Sequence, residues 1–169
     1  MIESHTRAMT PDERRVLEGQ LPPALWTAMS ALWRRGAFWA EYGTRVRADL
    51  EAGVAEVRVF HAAEAVRVEE TEDEGSQYLV RLVDGRAVFR VGQDLYGCEE
   101  ARRFPCTRFE IAQVPRSGHV LGTRCLGEYL APAAVRPAFT DREHARGLVP
   151  DDGEVIDGGR YEALRRAAP

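Results

Sequence analysis

The sequence predicts an α+β protein with N-terminal helices packed on a small antiparallel β-meander, whose sheet curls into a barrel or half-barrel. Residues 10–53 carry apolar side chains at helical spacing, which predicts a helical arm. Residues 54–130 alternate apolar and polar side chains between Gly-containing turns, which predicts an antiparallel β-domain. Residues 131–169 are turn-rich, so we expect a C-terminal extension with short helices. The polar residues 1–9 are expected to be disordered.

The composition is that of an ordinary globular protein, because 44% of the 169 residues are hydrophobic and 30% are charged. The net charge of −4 argues against a general nucleic-acid binder. All 23 basic residues are arginine, which we interpret as the codon bias of a GC-rich bacterial genome. No stretch approaches the roughly 18 consecutive apolar residues of a membrane span, and the N-terminus lacks a signal-peptide core. We therefore predict a cytoplasmic protein.

Two capping boxes mark the starts of helices. Thr10 stands three residues before Glu13, with a proline at the first helical position between them. Thr140 likewise stands three residues before a glutamate, Glu143. In each box the threonine hydroxyl and the glutamate carboxylate can satisfy backbone N–H groups of the first turn, so we expect a short helix after each.

A longer helix is predicted after Pro22 and Pro23, ending near Gly53. Its apolar seam advances in alternating steps of four and three residues: Leu25, Met29, Leu32, Gly36, Trp39, Gly43, Val46 and Leu50. Trp26 and Trp33 flank the seam and widen the apolar stripe. Either this stripe packs on the β-domain, or it forms a dimer seam or a partner-helix groove. The first interpretation is favoured, because amphipathic helices in single domains usually face their own core.

The clearest structural signal is a β-hairpin over Tyr78–Val91 with Asp84-Gly85 as a two-residue loop. That loop predicts a register in which Val83 faces Arg86 and Tyr78 faces Val91. One face of the hairpin is then entirely apolar or aromatic, and the other carries three arginines: Arg81, Arg86 and Arg90. We expect the apolar face to build the sheet and the arginine face to be half covered.

Two further β-segments flank this hairpin in the sequence. Residues 54–70 predict two short strands, and a change in alternation requires a turn or bulge at 61–64. Residues 107–126 predict a second hairpin with a three-residue loop that ends at Gly118, in the left-handed position. Its register places Glu110 opposite Arg124 as a cross-strand ion pair.

The standard catalytic and nucleotide-binding motifs are absent from the sequence. The absence of lysine excludes Schiff-base chemistry and a P-loop lysine. A zinc site would need Cys98, Cys106, Cys125 and His119, but no two of these have the close spacing of zinc ligands. Cys106 could act as a nucleophile with His119, yet the two lie near opposite ends of one predicted strand. We predict no metal and no cofactor.

The loop over residues 92–106 is the most suggestive segment for function, since long structured loops are often functional. It holds Asp94, Tyr96, Glu99 and Cys106, a mixture that would suit carboxylate acid–base catalysis. The same mixture is found in solvated loops. The outer arginines of the first hairpin could contact a nucleic-acid strand, but no aromatic side chain lies among them for base stacking.

Residues 86–126 resemble a bacterial β-rich domain family of unassigned function. The resemblance is carried by Val88-Phe89, Gly92-Gln93, Leu95-Tyr96, Phe104-Pro105, Thr107, Phe109-Glu110 and Ser117-Gly118. It covers about a quarter of the chain and transfers no catalytic residue. Some members attach the domain to membrane segments, and this chain departs from them there. The resemblance implies a module rather than an enzyme.

The sequence thus favours a cytoplasmic protein-interaction or regulatory module without catalytic activity, with a protein partner or a second copy of the chain as its ligand. One alternative is a small enzyme with its site in the 92–106 loop, and another is a nucleic-acid-associated β-domain. The residues expected to contact a ligand or partner are Trp26, Trp33, Asp94, Tyr96, Phe104, Cys106 and His119.

Overall fold

The computed structural model describes residues 2–21, 36–70, 75–96, 98 and 101–166. The described residues form an α+β protein, as predicted. The helices are α1 (Pro11–Glu18), α2 (Gly36–Ala52), α3 (Asp141–Ala145) and α4 (Gly158–Arg165). The strands are β1 (Glu3–Ala8), β2 (Val54–Val68), β3 (Ser76–Leu82), β4 (Ala87–Gly92), β5 (Arg108–Gln113), β6 (Val120–Cys125), β7 (Ala134–Arg136) and β8 (Val155–Ile156). The helices are not clearly N-terminal, because α3 and α4 follow the seventh strand.

The sheet has the strand order β6-β5-β2-β3-β4-β8, and β1 and β7 also pair with β2. It is a large, mainly antiparallel sheet rather than a simple meander, since the β5–β6 hairpin returns to the side of β2 opposite β3. Only β7 runs parallel to β2 among the pairings described. Within the described residues β6 and β8 are the two ends of this order and do not pair. The predicted closure into a barrel is therefore wrong.

Strand β2 is one long strand rather than the two short strands that were predicted. Its pairing with β3 shifts between Ala62 and Glu64. This irregularity lies where the change in alternation required a bulge. An extra residue in one strand of a ladder lets the alternation of faces change without ending the strand.

The chain divides into two compact units, and β2, β5 and β6 each contribute residues to both. Unit 1 comprises Met1–Glu3, Val59–Ile111 and Thr123–Pro169, and unit 2 comprises Ser4–Arg58 and Ala112–Gly122. Residues 3–8, predicted to be disordered, instead form β1. Whether residues 10–53, 54–130 and 131–169 fold as separate domains stays a prediction.

Unit 2 contains α1 and α2, and its capping features agree with the sequence. The hydroxyl of Thr10 accepts the N–H of Glu13 at 3.2 Å, and the Thr10 N–H donates to the Glu13 carboxylate at 2.8 Å. Helix α2 ends beside Gly53, whose φ of +64° lies in the left-handed region. Residues 22–35, which include Trp26 and Trp33, lie outside the described residues, so the predicted aromatic stripe stays a prediction.

A buried aspartate of α2 holds the turn between β5 and β6 in place. The side chain of Asp49 is fully buried and accepts the backbone N–H groups of Arg116 at 3.1 Å and Ser117 at 2.8 Å. It also accepts the Ser117 hydroxyl at 2.8 Å. Gly118 completes this turn with φ +74°, which confirms the predicted left-handed position. The loop has four residues, 115–118, rather than the predicted three, because the Val114 N–H donates to the carbonyl of His119 at 3.0 Å and the Gly118 N–H donates to that of Val114 at 3.1 Å. The core of unit 2 consists of Leu17, Val46, Ala55, Val57, Ala112, Val114 and Leu121.

The β3–β4 hairpin has a register one residue away from the prediction. Tyr78 pairs with Arg90, and Leu79 pairs with Phe89. The loop contains three residues rather than two, because the Gly85 N–H donates to the carbonyl of Leu82 at 3.0 Å and the Leu82 N–H donates to that of Arg86 at 2.8 Å. Gly85 occupies the left-handed position with φ +89°. This is a turn followed by a glycine bulge, the common three-residue hairpin loop.

The shift of one residue changes which side chains share a face. Leu79, Ala87 and Phe89 face a core that also holds Val66, Val68, Phe139, Ile156, Tyr161 and Leu164. The opposite face carries Tyr78, whose ring packs edge-on against Phe104. Phe104 in turn contacts Phe109, which stacks on Phe60. Both faces of the hairpin are therefore largely buried within unit 1. The predicted half-covered face with three arginines is wrong, because Arg81 and Arg90 lie on opposite faces in the observed register.

Among the described residues no helix is both long enough and apolar enough to cross a membrane.

Candidate functional site

Arg90 is the most unusual side chain of the β3–β4 hairpin, because its exposed fraction is 0%. It lies in the middle of β4, opposite Tyr78. Charged side chains are almost never fully buried unless they are paired, since an uncompensated buried charge is costly. The partners of Arg90 therefore define a candidate site.

Three side chains satisfy the guanidinium of Arg90. Its Nε donates to the hydroxyl of Thr123 at 2.8 Å, and its Nη2 donates to the carboxylate of Asp94 at 3.0 Å. Its Nη1 forms a short hydrogen bond to Oδ1 of Asp152. Arg90 thus joins β4 to β6, to the turn after β4 and to a loop that lies 62 residues further along the chain.

Backbone pairing places Asp152 beside Arg90. The short strand β8 pairs with β4, with Ala87 opposite Ile156. The ladder continues towards the end of β4, where the N–H of Gly153 donates to the carbonyl of Phe89 at 2.8 Å. The N–H of Val91 then donates to Oδ1 of Asp152 at 3.0 Å. The carboxylate is fixed by both a backbone and a side-chain donor.

The ionisation of Asp152 is set by two opposing effects. Burial raises the pKa of this carboxyl above its ordinary value, and the charge of Arg90 and the hydrogen bonds from Val91 and Arg90 lower it. Burial is the largest effect, so the net direction is upward. A carboxyl group with a raised pKa at the edge of a cleft is a recognised mark of a functional site.

A cleft opens next to this pair. Its volume is about 360 Å³, within the range of sites for small molecules or single side chains. The lining residues come from β3, β4, α3 and the loop before β8: Gln77, Phe89, Val91, His144, Val149, Pro150, Asp151 and Asp152. All of them belong to unit 1. Its lining combines apolar side chains with two adjacent carboxylates, Asp151 and Asp152.

Some polar groups of the cleft are available to a ligand. Both bonds to Asp152 use Oδ1, and within the described part of the chain Oδ2 has no hydrogen-bond partner. The imidazole of His144 is exposed and contacts the ring of Phe139 edge-on, and no described residue hydrogen-bonds to its nitrogens. Asp151 and Asp152 line the cleft with two negative charges, against the one positive charge of Arg90 beside it. The cleft therefore favours a cation near these carboxylates.

Two of the residues predicted from the 92–106 loop lie near Arg90 in the sequence, and only one joins its cluster. Asp94 is bound to Arg90, as described above. The hydroxyl of Tyr96 instead donates to the carboxylate of Glu70 at 2.8 Å. Glu99 lies outside the described residues, so the structure does not show whether the residues predicted for that loop come together. A role for Asp94 or Tyr96 in contacting a ligand stays a prediction.

The remaining predicted residues are placed elsewhere. Phe104 is buried in the aromatic cluster with Tyr78, and Cys106 is buried next to Cys125. His119 belongs to unit 2, where its Nδ1 lies 3.4 Å from the hydroxyl of Tyr42. Cys106 and His119 are therefore in different units. Within the described ranges no three His, Cys, Asp or Glu side chains are arranged to hold a metal ion.

The sequence interpretation did not find Arg90, Asp152 and His144 as site residues. Asp151 and Asp152 fall in the segment that was predicted only to be turn-rich, and Arg90 was assigned to a half-covered face. The sequence signal that could have indicated the site was Arg90 itself. Both strands of the hairpin are rich in apolar residues on both faces, which is typical of a strand covered on two sides. An arginine within such a strand requires a buried acidic partner.

Comparison with known proteins gives no relative: no family model, curated protein or solved structure matches the chain.

Proposed function

We propose that this protein is an interaction module whose cleft binds a basic side chain of a protein partner. The observation that carries the proposal is a cleft that combines apolar lining residues with a carboxylate oxygen available for bonding. Phe89, Val91, Val149 and Pro150 offer a surface for an aliphatic stem, and Asp151 and Asp152 offer acceptors for its charged head. Arginine and lysine side chains have this stem-and-head chemistry.

The Arg90–Asp152 pair supports the proposal because it fixes the acceptor before the ligand arrives. Asp152 is held by the N–H of Val91 and by Arg90, so little conformational freedom is lost on binding. A planar guanidinium could bond Oδ2 of Asp152 and the carboxylate of Asp151 together. Arginine is thus the preferred head group, since it makes bidentate bonds to carboxylates.

A titration with the small probe N-acetylargininamide tests this directly. We expect a dissociation constant of about 1 mM, since a single side chain makes few contacts. Backbone amide resonances of Phe89, Val91 and Gly153 should shift in the NMR spectrum. Asp151→Asn should weaken binding by about tenfold through loss of one charged hydrogen bond, and Glu128→Gln, an exposed carboxylate outside the cleft, should not.

The matched neutral probe is N-acetylglutaminamide. If it shifts the same resonances to the same extent, the cleft does not select a cation and the proposal is wrong. Absence of any shift with the arginine probe would also refute it.

An enzyme remains the second candidate, at this cleft rather than in the 92–106 loop. The raised pKa of Asp152 and the presence of His144 in the same cleft favour it, because a carboxyl and an imidazole can share acid–base work. Hydrolysis of p-nitrophenyl esters that Asp152→Asn abolishes, with Glu128→Gln unchanged, would favour this candidate. Cytoplasmic location and self-association are retained from the sequence as predictions.

A further inference from the structure

Strand β1 carries a separate inference, because it forms an exposed edge of the sheet. Among the strands that the structure describes, it pairs with β2 alone, so no second strand lies against its other side. In such an edge strand, alternate residues direct their backbone N–H and C=O groups away from the sheet. Five of its six residues are exposed, and the sixth, Arg7, is half-buried. An edge of this length is a template for the addition of another strand.

The charges of β1 are self-complementary when two copies of the strand run antiparallel. A two-fold axis through His5 places Glu3 of each copy opposite Arg7 of the other. Opposite charges that face each other across antiparallel strands attract, whereas like charges there repel. The symmetry makes this pair twice. The charges that would keep most foreign strands away from this edge therefore attract a second copy of the same strand.

The hydroxyl residues of β1 fit the same register. Ser4 of one copy lies opposite Thr6 of the other, and hydroxyl pairs of this kind also stabilise antiparallel strands. A shift of the register by one residue would place Glu3 opposite Ala8. It would place Arg7 opposite Ser4, so both charged pairs would be lost. The pattern of side chains thus selects one register.

The two charged side chains of β1 are suitably placed for this pairing. The Nη1 and Nη2 atoms of Arg7 donate to the two carboxylate oxygens of Glu13 at 2.7 and 2.5 Å, which holds the guanidinium in position. The side chain of Arg7 is still 33% exposed. A guanidinium has five N–H donors, so it can serve two carboxylates. Glu3 is exposed, and its carboxylate has no partner among the described residues.

The other edge strands of the described sheet lack this pattern. Strand β8 has two residues and β7 has three, so each can add few backbone hydrogen bonds. Strand β6 has six residues but carries a single charge, Arg124, so two copies of it cannot pair opposite charges. Strand β1 is thus the edge that fits a second copy of the chain.

We propose that two copies of this chain associate through β1, in antiparallel register about a two-fold axis at His5. The interface is isologous, because each copy contributes the same strand. It uses none of the residues that line the cleft, so it does not depend on the function proposed for the cleft.

Sedimentation velocity over a range of protein concentrations tests the proposal. We expect a weak dimer with a dissociation constant of about 100 μM, because a single short strand buries little surface. Glu3→Arg places arginine opposite arginine in both symmetric pairs, so it should weaken the dimer by about tenfold. Glu128→Arg makes the same change of charge at an exposed position outside β1 and should leave the dimer unchanged.

A mixture of two variants tests the register. Arg7→Glu places glutamate opposite glutamate, so this chain should stay monomeric at concentrations at which the wild type dimerises. An equal mixture of the Glu3→Arg and Arg7→Glu chains pairs opposite charges again, and the dimer should return. A mixture that stays monomeric overturns the proposal. So does a dimer that Glu3→Arg does not weaken, or a wild-type chain that is monomeric at millimolar concentration.

Arg7→Glu also removes the ion pair with Glu13, so circular dichroism must show that this variant is folded. Should it unfold, the NMR spectrum of the wild type decides the matter. Backbone amide resonances that shift with protein concentration must lie in β1. Shifts confined to another edge, such as β6, refute the proposal.

Discussion

Arg90 in unit 1 and Asp49 in unit 2 are both charged and both fully buried, yet their partners differ in kind. Asp49 is bound by backbone and hydroxyl donors of a single turn, at residues 116 and 117. Arg90 is bound by side chains from three separate segments, two of them distant in the sequence, and one of these side chains, Asp152, lines a cleft.

This difference distinguishes a buried charge that only stabilises the fold from one that also prepares a binding site. The bonds of Asp49 all serve the turn that it holds, and nothing in that arrangement points outward. The bonds of Arg90 position the carboxylate of Asp152, and the second oxygen of that carboxylate has no hydrogen-bond partner among the described residues. We infer that Asp49 stabilises the fold, and that Arg90 also prepares a surface for binding.

Removal of Arg90 should have the largest effect on stability. Arg90→Met leaves Asp152 without its cation in a partly buried place, so we expect a loss of about 3 kcal/mol in the free energy of unfolding. Urea denaturation measures this loss. The double variant Arg90→Met/Asp152→Leu should recover part of it, because the carboxylate that still lacks its partner, Asp94, is exposed to water. Arg124→Met, which removes an ion pair between an exposed arginine and Glu110, should cost less than about 1 kcal/mol.

Removal of Asp49 should have a smaller effect, of about 2 kcal/mol. Asp49→Ala leaves the N–H groups of Arg116 and Ser117 without their acceptor, although the turn lies close enough to the surface for water to replace part of the loss. Urea denaturation again gives the value, and Glu51→Ala, an exposed site on the same helix, is the control. A cost no larger than that of the control would contradict the scaffold role.

The smallest expected effect is on the pH dependence of the free energy of unfolding. Because burial raises the pKa of Asp152, the folded state keeps this proton at pH values where the unfolded state has lost it. Its contribution to stability is therefore present at low pH and is lost as the pH rises from the ordinary aspartate value through the raised one. Glu13 and Glu143 have lowered pKa values and act in the opposite sense at lower pH.

Comparison with Asp152→Asn isolates the Asp152 contribution. The free energy of unfolding is measured for both chains from pH 4 to 7. We expect the difference between the two values to change with pH above the ordinary aspartate pKa. A constant difference would show that Asp152 titrates normally.

Local signals in the sequence predicted much of the fold. The capping boxes at Thr10 and Thr140, the end of α2 at Gly53 and the left-handed position of Gly118 all depend on neighbouring residues, and each is confirmed. The bulge in β2 followed from alternation alone. These features need no knowledge of the tertiary structure.

The hairpin register could not be predicted because Asp-Gly suits both a two-residue and a three-residue loop. Asp84 favours the longer loop through its own bonds, since it accepts the backbone N–H of Arg86 at 3.1 Å and pairs with the guanidinium of Arg86. Apolar alternation could not correct the error, because both faces of β3 and β4 are buried and a shift by one leaves each face plausible.

The candidate site could not be predicted from the sequence for a different reason. Arg90 and Asp152 are far apart in sequence, and only the pairing of β4 with the two-residue strand β8 brings them together. A strand so short has almost no sequence signature. The Arg90 cluster thus depends on tertiary structure, whereas its individual residues look ordinary in the sequence.

The most direct test of the contrast is the affinity for N-acetylargininamide in two variants, Asp152→Asn and Asp49→Asn, measured by NMR titration at neutral pH. The account predicts that Asp152→Asn weakens binding about tenfold, whereas Asp49→Asn lowers the melting temperature and leaves the affinity unchanged. Equal affinities in the wild type and in Asp152→Asn would contradict the assignment of the Arg90–Asp152 pair to binding.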